Sequence, residues 1–156
     1  MSMVSPLLFL ILVPLVAIAF ILVGSQARMT ALVASVANLI FVLALFAVYK
    51  TGESPYQFIS STPVIPSMGI AFTLGADGLS LIMLLLAALV TVAAVAVART
   101  PDKNANWFYA SLLFISAGGL GAFASIDLCF FYMFHELALI PTFLLATFLA
   151  WFVIEI

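Results

Sequence analysis

Glu136 follows Asp127 by nine residues, about 14 Å along a helix at 1.5 Å per residue, a spacing that sets a carboxylate near the middle of a bilayer. An ionised carboxylate at that depth costs about 2.5 to 3.5 kcal/mol on insertion scales. It must therefore face protein, meet a partner or hold a proton, and each outcome makes Glu136 a proton-relay candidate. The plain alternative is a hydrogen bond that locks Glu136 to a neighbouring helix. His135 is a second relay candidate, because imidazole titrates near neutrality. It projects about 100° around a helix from Glu136, so the two are expected to meet different neighbours. A neutral His135 bonded to a backbone or hydroxyl group is the simpler account of it. Five residues past Glu136, Pro141 offers no N–H to the carbonyl of Leu137, and a helix kink is expected there. The freed carbonyl either holds an ordered water beside the carboxylate or the kink serves packing alone.

Asp77 and Asp127 each precede an apolar run, where a carboxylate can accept N–H groups from a helix start, and both are read as helix caps. The cluster Phe130, Phe131, Tyr132 and Phe134 reads as packing and lipid contact. No Gly-rich phosphate loop follows a strand, and no Ser–His–Asp order suggests a nucleophile. With one cysteine, Cys129, and one histidine in the chain, neither a Cys-based metal or iron–sulfur site nor a His/Cys ligand cluster is available. No metal or cofactor site is expected.

The elements that must position these residues follow from composition. Of 156 residues 67% are apolar, four are Lys or Arg and six are Asp or Glu, for a formal net charge of −2. That is too little polar surface for a soluble globule. There is also no basic tract for nucleic acid or for a peripheral membrane anchor. The expected fold is all-α: one polytopic membrane domain over 1–156 with about five transmembrane helices surrounded by lipid, at roughly 20 apolar residues per helix. The apolar runs put these helices near 3–23, 29–49, 78–98, 107–125 and 127–150, with one loop, 50–76, rich in Gly, Pro, Ser and Thr. A cleavable signal peptide would carry a cation before its apolar run. Arg28 comes after, so the first run is read as a retained helix. Pro14 should kink it, Asn38 should face another helix, and Gly118, Gly119 and Gly121 should give a bare face for close contact. One helix from 107 to 150 would reach about 66 Å, twice the hydrocarbon thickness, so a turn is required near 125–127. Arg28, Arg99 and Lys103 follow the first and third helices and Lys50 follows the second, a bias that sets the N-terminus outside.

Two stretches carry a resemblance: Gly75-Ala76-Asp77-Gly78-Leu79-Ser80, and Asp127-Leu128-Cys129-Phe130-Phe131-Tyr132-Met133-Phe134-His135-Glu136-Leu137-Ala138-Leu139-Ile140-Pro141. Together they resemble the M-type (chain 4) antiporter-like subunit of proton-translocating NADH:quinone oxidoreductase, respiratory complex I. The Asp-Gly-Leu-Ser element is shared with related antiporter-like subunits and cation/proton antiporters. The Glu-Leu-Ala-Leu-Ile-Pro run after an aromatic stretch points more narrowly to the M type.

The resemblance implies the first part of an antiporter-like fold of about fourteen helices, in a membrane-arm subunit that takes part in proton translocation coupled to electron transport. It implies other membrane-arm subunits of complex I as partners and a bacterial inner (plasma) membrane as the location. NADH, FMN, iron–sulfur clusters and quinone would belong to other subunits, with no redox centre in this chain. Glu136 matches the family's key glutamate, which is understood to pair with a lysine on a later helix that this chain does not reach. A truncated product, inactive alone, is therefore expected. Two departures stand out: His135 replaces the Trp of many members, and Leu144 to Ile156 stays apolar apart from Thr147 and Glu155 where the family has a Gly-rich, charged connection. Two other readings remain at this stage. One is a fragment of an Mrp-type cation/proton antiporter subunit, without NADH chemistry. The other is a small structural or assembly membrane protein in which Glu136 only locks helices together.

Overall fold

The computed structural model describes residues 5–50, 52, 54–98 and 104–154. The cations Arg99 and Lys103, and the part of the expected first helix before residue 5, lie outside these residues. Helix α1 (Pro6–Val23) has a well-defined start. Ser5 accepts the Leu7 N–H at 3.3 Å, and Pro6 takes the first helical position, where a missing N–H costs nothing. Gly24, at φ 110°, ends α1 in the left-handed conformation, and its N–H bonds to the Ile21 carbonyl at 3.1 Å.

Helix α2 (Ala27–Val48) returns alongside α1. Pro14, inside α1, cannot donate to the Leu10 carbonyl. Asn38 of α2 does so instead, its Nδ2 lying 3.1 Å from that oxygen. Asn38 is 3% exposed, and its Oδ1 has no partner among the described residues. A proline-freed carbonyl and a buried amide thus bridge two adjacent helices, the kind of contact that re-satisfies backbone within a membrane.

The segment read as a loop, 50–76, instead holds an antiparallel hairpin of β1 (Gln57–Ile65) and β2 (Ile70–Ala76), closed by a 3₁₀ turn at Pro66–Met68. Ser60 pairs with Leu74 and Thr62 with Phe72, and irregularities flank this stretch on both sides. Pro63 and the strand breaks hid the pattern. Proline is admitted to a strand that has a free edge, as both strands of a two-stranded sheet do. Phe58 adopts a positive φ of 58°, and its carbonyl accepts the Ser5 hydroxyl at 3.1 Å. On the partner strand, Ile126 N–H donates to the Thr73 carbonyl at 3.0 Å. The hairpin therefore ties the start of α1 to the turn between two later helices.

Those helices are α4 (Ala105–Ala124) and α5 (Leu128–Ile154), with α3 (Gly78–Val97) before them. Among the described residues, five helices are long and apolar enough to cross a bilayer. The core forms two apolar clusters along them: Leu7, Leu10, Val42, Leu81, Leu84 and Leu120 in one, and Ile18, Ile21, Ala31, Val95, Tyr109 and Leu113 in the other. Helix α4 is the most enclosed of the five, whereas α5 lies along one side of the bundle and leaves most of its surface uncovered. Close contact between them rests on two glycines. A Cβ on Gly118 would stand 2.8 Å from the Ala138 N and the Phe134 carbonyl oxygen, and one on Gly121 would enter the Phe134 ring. Gly119 points into open space.

Candidate functional site

Asp127 opens α5. Its Oδ1 accepts the N–H groups of Cys129 at 2.8 Å and Phe130 at 3.4 Å, which occupies the carboxylate with backbone and sets the helix start. Asp77 does the same for α3, taking the Ser80 N–H at 2.7 Å. That N–H, followed by the Ser80 hydroxyl, holds the Asp77 carboxyl below its ordinary value of 3.8.

Glu136 belongs to a different environment. Phe134 and Ala138 are the α5 residues that meet Gly118 and Gly121 of α4. Glu136 sits two positions from each, about 200° around a helix of 3.6 residues per turn. Its side chain therefore projects away from the bundle and is 66% exposed. The described helices bury the opposite face of α5 and leave Glu136 on its uncovered face.

His135 is likewise outward, at 53% exposed, and its Nδ1 lies 3.9 Å from Glu136 Oε1. The expectation that these neighbours would go separate ways is corrected. Two long side chains on an uncrowded face reach across the 100° offset that separates their Cβ atoms. The imidazole also stacks on Phe131, one turn earlier, with ring centroids 6.3 Å apart and planes inclined by 21°. Phe131, first read as packing, thus orients the one histidine. The aromatic four residues before it was the available signal.

Pro141 lies inside α5 on the buried side. It borders an apolar cavity of about 230 Å³ between α1, α4 and α5, lined also by Ile18, Leu22, Trp107, Ile140 and Leu144. The next residue, Thr142, returns its hydroxyl to the Ala138 carbonyl at 2.7 Å. Pro141 therefore shares the stretch of α5 around Glu136 but not its face. Among the described residues, no group of three His, Cys, Asp or Glu side chains could hold a metal ion. The arrangement places a carboxylate and an imidazole 3.9 Å apart on the uncovered face of a helix long and apolar enough to cross a membrane.

No family model matches the chain. It is 34% identical over 123 residues to NAD(P)H-quinone oxidoreductase chain 4 2 of Synechococcus sp. (strain JA-2-3B'a(2-13)), a match covering 78% of this chain and 23% of the relative. It is 41% identical over 97 residues to the chloroplastic NAD(P)H-quinone oxidoreductase chain 4 of Chara vulgaris, covering 62% of this chain and 20% of the relative. Among solved structures, respiratory complex I from Thermus thermophilus with bound NADH contains a similar chain, with a TM-score of 0.74 and 29% identity over 88% of this chain and 28% of that one. The membrane-bound sulfane sulfur reductase, an archaeal respiratory membrane complex, contains another, with a TM-score of 0.70 and 25% identity over 86% of this chain and 22% of that one. The chain spans about a quarter of the length of the curated relatives it matches.

Proposed function

We infer that this chain, a homologue of part of NAD(P)H-quinone oxidoreductase chain 4, supplies five membrane-spanning helices to the membrane arm of a proton-translocating NADH:quinone oxidoreductase and handles protons there. The observation that carries the reading is Glu136, an ionisable carboxylate on the spanning helix α5 of a chain with this homology. Electron transfer falls to other subunits, which hold the NADH, FMN, iron–sulfur and quinone sites. The role of this chain is to hold a proton at Glu136 and release it when a charge outside the chain changes. The similarity to an archaeal respiratory complex with a different electron acceptor supports the same division, with a common membrane part under unlike redox chemistry.

In this reading the uncovered face of α5, which carries Tyr132, Met133, Leu139 and Phe143 beside Glu136, meets further helices or subunits of the arm. The N-terminus lies outside, from the placement of Arg28, Lys50, Arg99 and Lys103, in a bacterial inner membrane. Pro141 bends α5 near the carboxylate and leaves the Leu137 carbonyl free for water. The test is a glutamine at the position of Glu136 in a full-length relative. The amide preserves shape but cannot ionise, so the complex should assemble, oxidise NADH and lose proton pumping. Normal pumping by an assembled variant would reject the relay role.

A further inference from the structure

We propose that His135 and Glu136 form a single proton-holding unit that carries one proton between two atoms, His135 Nδ1 and Glu136 Oε1. The proposal rests on the reading of Glu136 as the proton-handling group and names its partner within the chain. The two atoms are 3.9 Å apart, a gap that one side-chain torsion or one bridging water closes. The Phe131 ring stacked on the imidazole limits how far His135 can swing from this position.

The surroundings leave the pair to itself among the described residues. Helix α4 and strand β2 pack against α5. Strand β2 has no titratable side chain. On α4 the one such group is Tyr109, which is buried among residues of α1 and α2 and comes before the glycines opposite Phe134 and Ala138 by about 14 to 18 Å of helix at 1.5 Å per residue. On α5 itself the near titratable group is Tyr132, one turn before Glu136. Asp127 is engaged by backbone at the helix start.

Charge then decides the behaviour. With one proton the unit is either imidazolium with carboxylate or imidazole with carboxylic acid, and both have zero net charge. Interconversion moves H⁺ from Nδ1 to Oε1, changes no bond to carbon and oxidises nothing. Adding a second proton or removing the first leaves a net charge at membrane depth, which is costly there. A charge brought near by another helix would favour one of the two one-proton forms over the other. Among the described helices Arg28, in the first turn of α2, is the one Lys or Arg, and His135 supplies the counterion next to Glu136 instead.

The chain has one histidine, so ¹⁵N-histidine labelling of the full chain in lipid nanodiscs yields one imidazole. At a fixed near-neutral pH, Glu136→Gln should move the Nδ1 resonance by more than its line width. Glu136→Asp, which shortens the arm, should move it in the same direction. In the reverse experiment His135→Phe, which keeps a ring over Phe131, should shift the infrared carboxyl band that disappears in Glu136→Gln. An imidazole spectrum unmoved by both Glu136 variants, or a carboxyl band unmoved by His135→Phe, would overturn the pair. The outcome is separate from that of the pumping assay: coupled spectra with pumping retained would reject the relay role and keep the pair, and uncoupled spectra with pumping lost would do the reverse.

Discussion

Asp77 illustrates how a carboxylate at the edge of the membrane differs from one within it. Its charge is favoured by the N–H and hydroxyl of Ser80, so its folded-state value lies below the ordinary 3.8. A depressed carboxyl value contributes stability that is fully present above the unfolded value and is lost as pH falls through the folded one. The chain should therefore lose helicity more readily in Asp77→Asn than in wild type at neutral pH, and the difference should close as pH is lowered beneath about 3.8. Circular dichroism thermal scans at several pH values measure this, and a gap that stays constant into strong acid would refute it. Asp77 and Asp127 could be read from position alone, because each stands immediately before an apolar run. The contact of His135 with Glu136 could not. Helical spacing reports where Cβ atoms point, and the outcome here depended on an open face that lets two long side chains converge.

The same contrast holds for whole elements. Helices of 18 to 27 residues are built from local apolar runs long enough to span, and their existence could be read without knowing what they touch. The hairpin could not be read this way. Strand β1 contains Pro63 and no clean alternation, and it is held by β2 and by the Ser5 hydroxyl, contacts that form only after the chain folds back. The glycines of α4 were legible as a small-residue face, but only the structure separates their roles. Gly118→Ala would set a methyl against the backbone of α5, whereas Gly119→Ala meets nothing within 4 Å. The expected outcome is a clear fall in thermal stability in detergent for Gly118→Ala and none for Gly119→Ala, which also gains about 1 kcal/mol of helix propensity in a soluble reference helix. Equal losses in the two variants would disprove the assigned α4–α5 contact.

For the molecule as a whole, the proton unit sits on the rim of the five-helix bundle rather than along its axis, and the face that bears it is uncovered. Moving a proton across a bilayer needs connection to both surfaces and a cyclic change in affinity. The purified chain in liposomes should accordingly pass no specific proton current under an imposed pH gradient or potential. A flux abolished by Glu136→Gln would show the five helices to be sufficient. The bond between Asn38 and the Leu10 carbonyl bears on an earlier moment in the life of the protein. An amide alone within an apolar segment is penalised as it leaves the translocon, and so is a proline-exposed carbonyl, but here the carbonyl takes the amide's N–H and only a few residues of turn separate their helices. The first two segments thus enter lipid most cheaply as a prepaired hairpin, and the order of synthesis delivers the carbonyl just before the amide that needs it.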